Sequence, residues 1–438
     1  EAALSAIGSI ARTMNRGVYL MDAGANFHTY FEDQALLLGA RVANIQATDP
    51  VGCVVRISAA DADTSQVVFA QEWPVAVGAG GEARVSMAWK PDAWPANGFK
   101  VTAQLVLDGA VVDEVSHEAH VWRPKPNPSF ITVANGDFML DGKRWRAHGV
   151  NYMPSSGIGT EDGSYFEQWL GARSYDPEIV ERDLRHCRDM GLNSVSIFIY
   201  TQSVAAQNLL DILRRLDALG MKANLSLRHA TIGNFNWPGL QSIIQHYRLW
   251  QNDTVFAYDI DWEPLWWTHK ERVKWDREWE AWILERYGSI ENAEKDWGIP
   301  APRDESGAIM NPPDDQLQRD GDWRVMASAY RRFLDTLLYS SYNDIRTKIR
   351  GIDPNHFVSF RMTETADPTM NWGGVLSYDL PYLAAAVDLI EPEGYGRIGD
   401  WEKIKPGWFQ YEYARLWAPD KPLFWAEAGL HAWDMGTM

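Results

Sequence analysis

The chain has 438 residues, more than one ordinary domain holds and suited to a small domain beside a large one. It is 46% hydrophobic and 23% charged, which excludes a disordered chain, and its formal net charge of −18 argues against a nucleic-acid or anionic-membrane partner. The two cysteines, Cys53 and Cys187, exclude a disulfide framework or a cysteine metal site, and no apolar run of about 18 residues exists to span a membrane.

Residues 1–16 are helical or irregular. From about 17 to 123 the pattern is all-β, with apolar stretches such as Ala35–Ile45, Cys53–Ile57, Gln66–Ala70 and Val101–Leu107 separated by Gly, Pro and Asp. Asp108-Gly109 joins Val101–Leu107 to Val111–Val115 as a two-residue hairpin. Strands at this spacing predict an immunoglobulin-like β-sandwich over residues 1–123. Residues 124–145 hold a stiff linker, Arg123-Pro124-Lys125-Pro126-Asn127-Pro128, and a small hairpin whose turns are Asn135-Gly136 and Asp141-Gly142.

Over residues 146–438 helix and strand alternate. Asp176-Pro177 starts a helix with Val180, Leu184 and Cys187 on one face, and Gly191 stops it. Further helices are expected at Leu209–Leu219, Ser242–Trp250, Trp323–Arg350 and Phe409–Trp417. Seven strands are expected: Ala147–Tyr152, Asn193–Tyr200, Lys222–Leu227, the run ending at Glu263, His356–Arg361, Val387–Ile390 and the run ending at Glu427. Their nearly unbroken apolar character marks parallel strands buried on both faces. No Gly-rich dinucleotide fingerprint follows the first strand, so the fold class is α/β with a (β/α)8 TIM barrel rather than a doubly wound sheet. Leu265–Asp322 is expected to be a decorated loop over the active-site face.

A closed barrel of this kind needs eight strands, since an open edge leaves backbone groups unpaired. Seven are counted, so the expectation is that residues 1–438 belong to a longer polypeptide whose remaining segment supplies the eighth. No signal peptide is visible, but Glu1 is not an initiator Met, so a leader could have been removed. Its absence says nothing about localisation, which stays unknown, with a secreted or periplasmic one slightly favoured.

Glu263 and Glu427 each close a strand. A carboxylate at the carboxyl end of a barrel strand is poorly placed for packing and well placed for catalysis. Two of them on different strands are what cleavage of a glycosidic bond requires. The 22 Trp residues, with 17 Tyr and 15 Phe, fit this, because indole faces stack on the C–H faces of sugars; the alternative is that they fill a large core. Strict alternation would point Val255, Ala257, Asp259, Asp261 and Glu263 one way and Phe256, Tyr258, Ile260 and Trp262 the other. Asp259 and Asp261 would then stack beneath Glu263 and raise its pKa, or pair with Arg228 or Arg361 in a buried network. His148, His229 and His431 have no ligand spacing around them, so no metal or cofactor is expected.

The stretch His246–Pro264, with Ala257-Tyr258-Asp259 and Trp262-Glu263-Pro264, resembles the fourth strand of clan A retaining glycoside hydrolases. Gly149-Val150-Asn151-Tyr152 resembles their first strand, Glu391-Pro392-Glu393-Gly394-Tyr395 their sixth and Trp425-Ala426-Glu427-Ala428-Gly429 their seventh. Trp282–Gly298 resembles families 42 and 35, and the order of sandwich then barrel resembles family 2. The resemblance implies a double displacement on a carbohydrate, with Glu263 as acid/base and Glu427 as nucleophile. It implies substrate contacts from Asn151, Tyr152, Arg228, Trp262, Arg361, Glu393, Tyr395 and Trp425. Two positions depart from the clan: Trp262 replaces the usual Asn, and Ser196 stands where the second strand usually carries an Arg. A transglycosylase would use the same residues, and a catalytically degenerate carbohydrate-binding barrel is the alternative from another class.

Overall fold

The computed structural model describes residues 2–46, 48–155, 168–200, 206–227, 230–232, 234–266, 268–362, 379–396 and 411–430. Backbone contacts divide the chain into two compact units, one of 1–125, 168–177 and 201–215, the other of 126–167, 178–200 and 216–438.

The first unit opens with the helix Ala2–Arg16 and continues in strands β1 (Val18–Ala25), β2 (Thr29–Phe31), β3 (Leu36–Asn44), β4 (Val51–Asp61), β5 (Val67–Val77), β6 (Glu82–Trp89), β7 (Gly98–Leu107) and β8 (Ala110–Trp122). They form two sheets, β1-β3-β6 and β2-β8-β7-β4-β5. Alternate residues of both sheets, among them Val18, Leu38, Val55, Ile57, Phe99 and Val101, share one apolar core, as the period-two pattern of a half-buried strand requires. At the β7–β8 turn Asp108 and Gly109 have φ of 50° and 78°, the doubly left-handed turn that matches the twist of its flanking strands.

The second unit begins with a three-stranded meander of β9 (Thr132–Ala134), β10 (Asp137–Leu140) and β11 (Lys143–Arg144), turning at Asn135-Gly136 and Asp141-Gly142. Phe138 and Trp145 of this meander pack against Phe256, Phe357 and Phe424. Phe256 therefore faces this aromatic plug and not the surrounding helices, because a register shift beside Ala257 interrupts the alternation.

Parallel strands come next: β12 (Gly149–Asn151), β13 (Ser194–Phe198), β14 (Lys222–Ser226), then, after the short pair β15 (Ala230–Thr231) and β16 (Asn234–Phe235), β17 (Val255–Trp262), β18 (Phe357–Arg361), β19 (Glu393–Gly396) and β20 (Glu427–Leu430). The main sheet has the order β12-β13-β14-β17-β18, and β19 pairs with β20. Asp388 N–H donates to Val358 O and Met362 N–H to Glu391 O, and Ile390 bridges to Leu423, so the arc continues from β18 through 387–391 to 421–430. Spatial order equals chain order in this sheet, without the reversal of a doubly wound sheet.

The expected closed barrel is not seen. Among the described residues β12 pairs only with β13 and β20 only with β19. A cavity of about 790 Å³ lies between them, lined by Gly149, Val150 and Asn151 on one side and Phe424, Trp425 and Ala426 on the other. Gly149 is required where it stands: a Cβ there would lie 2.2 Å from Ser194 O.

Of the outer helices, Pro177–Asp189 buries Val180, Asp183, Leu184 and Cys187, and Arg324–Ile352 is the longest. The expectation of a decorated loop at 265–322 is corrected. That segment contains the helices His269–Arg272, Asp276–Tyr287, Ile290–Trp297 and Asp314–Gln318, around a core in which the Trp279 ring stacks between those of Trp282 and Trp297. Many of the tryptophans are thus core: Trp169, Trp266, Trp275, Trp279 and Trp297 are buried.

Candidate active site

The arc presents an unusually polar inner face. Ser196 on β13 and Asn224 on β14 are in register, as are Ser226 on β14, Asp259 on β17 and Ser359 on β18, and all five are buried. Fully buried positions are ordinarily apolar, so packing alone does not account for this layer.

At its centre is Arg361, fully buried. Its Nε donates to Asp259 Oδ2 at 2.9 Å, Nη2 to Ser196 Oγ at 2.6 Å, and Nη1 to both Glu427 Oε1 at 2.8 Å and Asn151 Oδ1 at 3.2 Å. Its carbon lies 4.6 Å from the Phe198 ring centroid, a cation–π contact. Burial works against its charge, but Asp259 and Glu427 outweigh burial and hold its pKa above the ordinary value. The buried network with Arg361 is therefore present for Asp259, and a guanidinium reaches Glu427 from the fifth strand, where Ser196 leaves the second without one.

Glu263 comes directly after the last residue of β17 and has a left-handed φ of 47°, a conformation costly for a side chain that branches beyond Cβ and concentrated at functional sites. Its cause is in the register. Asp259 lies opposite Ser359 but Trp262 opposite Arg361, so β17 carries one extra residue there. This β-bulge re-aims the side chains at the end of the strand, and the Glu263 N–H then donates to Arg361 O at 2.9 Å.

The bulge also overturns the stacking expected for Asp261. Its Oδ2 accepts from Tyr342, on the helix Arg324–Ile352, at 2.5 Å, and its Oδ1 from the Trp262 N–H. Asp261 thus faces a helix and not the underside of Glu263, and burial raises its pKa to about 8. Trp262 is 40% exposed and meets Phe198 edge-on, on the side of the polar layer.

β19 and β20 run in parallel register with Glu393 opposite Glu427. One carboxylate oxygen from each of Glu263, Glu393 and Glu427 lies within 4.8 Å of the others. Burial first, then the charges of Glu263 and Glu427, push Glu393 up to about 10. Beneath them Glu391, which accepts from Asn224 Nδ2 at 3.2 Å, is raised well above the carboxylate range by burial and by Asp259. Three converging oxygens could serve a hard cation only in competition with Arg361, and no ion is assigned to them.

Of the remaining expected residues, Asn151 reaches the site through Arg361. Trp425, 42% exposed, lines the cavity beside Asn151 and Glu427. Tyr152 does not join the site: it is buried, and its hydroxyl donates to Asp183 on the helix Pro177–Asp189 at 3.4 Å. Arg228, His229, His431 and the Tyr395 side chain lie outside the described residues, and His148 is exposed along the cavity. Two members of the site, Asn224 and Phe198, were not singled out by sequence reasoning. The signal for Asn224 was a polar residue midway along a strand buried at every position.

No family model matches the chain, and no curated protein does. Among solved structures it is similar to Bacteroides uniformis β-glucuronidase 2 covalently bound to cyclophellitol-6-carboxylate aziridine (14% identity, TM-score 0.38, covering 94% of this chain and 39% of that one). It is also similar to a glycosyl hydrolase family 2 member from Bacteroides cellulosilyticus (13%, TM-score 0.36, 94% and 41%). A third is Bifidobacterium dentium β-glucuronidase complexed with coumarin-3-O-glucuronide (14%, TM-score 0.35, 94% and 52%). The chain spans about half or less of the length of these structures.

Proposed function

We propose that the protein is a retaining glycoside hydrolase acting on β-linked oligo- or polysaccharides, with Glu427 as nucleophile and Glu263 as acid/base. One observation carries the reading: carboxylate oxygens of Glu263 and Glu427, from the ends of different strands, lie within 4.8 Å of each other. Retaining enzymes hold their two carboxyl groups about 5–5.5 Å apart, whereas inverting enzymes leave about 6.5–9.5 Å for a water. Arg361 supports the assignment of roles, since its guanidinium donates to Glu427 Oε1 at 2.8 Å and so orients that carboxylate. Protonated Glu263 donates to the leaving oxygen while Glu427 attacks the anomeric carbon, and water then enters with Glu263 as base. On this reading residues 146–438 are a (β/α)8-type catalytic domain and residues 1–123 an accessory β-sandwich.

The test is a pair of variants on aryl β-glycosides. Glu427→Gly should abolish turnover and regain part of it with azide, giving a product of inverted configuration. Glu263→Ala should spare substrates whose leaving groups need little protonation. Equal losses on good and poor leaving groups in Glu263→Ala, with no azide effect in Glu427→Gly, would overturn the assignment.

A further inference from the structure

Double displacement uses two carboxyl groups, and the site contains a third. Glu393 is in register with Glu427 on the neighbouring parallel strand, so both project from the same face. It is 4% exposed, one of its carboxylate oxygens lies within 4.8 Å of one of Glu263, and among the described residues its Oε1 has no hydrogen-bond partner. Two ionised carboxylates this close repel each other, and more so where one is buried, so a proton held between them is favoured. We propose that Glu263 and Glu393 hold one proton between them, so that the acid/base role belongs to the pair and Glu393 is its positioning member. The inference rests on the assignment of the protein as a retaining glycosidase.

The surrounding charges fit a pair holding one proton. Arg361 on β18 directs its donors to Asp259, Ser196, Asn151 and Glu427. Asp259 on β17 is committed to that guanidinium, and Glu391, two residues before Glu393, accepts from Asn224. Among the described residues Glu427 on β20 is the remaining charged neighbour. Among the described residues no cation forms an ion pair with Glu393, and a buried carboxylate with an unpaired oxygen is costly when ionised.

The proton count closes over the reaction. At the start Glu427 is ionised and the pair carries one proton, two negative charges in all. Glu427 forms its bond to the anomeric carbon as the C–O bond breaks, and the leaving oxygen takes that electron pair and the proton from Glu263. The ester is neutral and the pair doubly ionised, again two negative charges. Water then gives its proton to Glu263 and its oxygen to the anomeric carbon, which releases Glu427. Esterification of Glu427 thus removes a charge beside the pair at the step that adds one to it.

Glu393→Gln keeps the shape and a donor but not the charge. The basic limb of the kcat/KM profile should therefore move to lower pH by about one unit or more, with folding checked by circular dichroism. Carboxyl ¹³C NMR of glutamate-labelled full-length protein reads the pair without turnover. Apart from Glu391, the wild type should show a glutamate titrating above about pH 8, in line with burial and two carboxyls competing for one proton; Glu393→Gln should abolish that step and Glu263→Gln should move it to lower pH. An unshifted step in Glu263→Gln, its absence from the wild type, or an unmoved basic limb in Glu393→Gln would overturn the proposal. A wild type that titrates as expected yet cleaves no glycoside would overturn the glycosidase assignment and leave the pair standing. Should Glu393→Gln fail to fold, the Glu263→Gln titration still decides.

Discussion

The molecule contains two buried ionic clusters of opposite stoichiometry. In the first unit one carboxylate, Asp211, is shared by two arginines: its oxygens accept from Thr29, Arg214, Arg215 and Tyr175 at 2.6–3.4 Å. Burial would raise its pKa, but Arg215 and Arg214 lower it below the ordinary range. In the second unit the count is reversed. One guanidinium, Arg361, serves Asp259 and Glu427 with Glu391 and Glu393 close by, and burial raises the pKa of Asp259, Glu391 and Glu393. A cluster rich in cations fixes its carboxylate as an ion and acts as a structural tie. A cluster rich in acids has to hold protons, and held protons are what acid/base chemistry uses.

The sharpest way to break this comparison is to remove each hub. Arg361→Met leaves Asp259 buried without its partner, so urea unfolding should show a loss of about 3–5 kcal/mol. Turnover should fall roughly 10²–10³-fold or more through the lost stabilisation of Glu427. Asp211→Asn should cost a comparable about 3–5 kcal/mol while kcat of the folded protein stays as in the wild type. A fall in kcat there, or an indifferent Arg361→Met, would erase the distinction.

Next in size is pH dependence, whose sign differs between Asp211 and two buried aspartates outside the clusters, Asp261 and, on the helix Arg324–Ile352, Asp335. The folded pKa of Asp211 is lowered, so its contribution is present above the unfolded value of about 3.9 and lost as pH falls. The Asp211→Asn variant should therefore have a flatter acid limb of stability. Asp261 and Asp335 are raised by burial, to about 8 and about 7. Their contribution is present below the unfolded value and lost as pH rises through the folded one. Asp261→Asn and Asp335→Asn should each remove up to about 1.4 kcal/mol per pH unit from the wild type's decline between about pH 4 and those values. Unfolding free energies measured across that window check it.

The smallest effect is expected at the exposed aromatics. Trp262→Phe and Trp425→Ala should raise KM roughly 2- to 10-fold, the worth of an aromatic contact, with little change in melting temperature. Unchanged KM in both would place the sugar elsewhere.

Much of this was legible in the sequence where local rules govern. The hairpin turns at Asp108-Gly109, Asn135-Gly136 and Asp141-Gly142 all have both residues at positive φ. The parallel strands fall within a few residues of their apolar runs, and Glu263 and Glu427 meet although 164 positions separate them. Long-range register was not legible. The extra residue in β17 arises from its pairing with β18, and it alone sends Asp261 to Tyr342. Tyr152 looked like lining because its run reads as a strand end, but Asp183, on a helix, offers its hydroxyl an acceptor. The helical insertion over 265–322 read as a loop because its apolar residues are tryptophans spaced by charges, and their stacking is tertiary.

The most direct test of the account is to trap the glycosyl-enzyme. The protein would be incubated with a panel of 2-deoxy-2-fluoro-β-glycosyl fluorides, digested, and the modified peptide sequenced by mass spectrometry. The account predicts a single glycosyl adduct on Glu427, formed at a rate that Glu427→Gln reduces to zero. An adduct on Glu393 or Glu263, or a wild type that releases product of inverted configuration with no adduct, would contradict it.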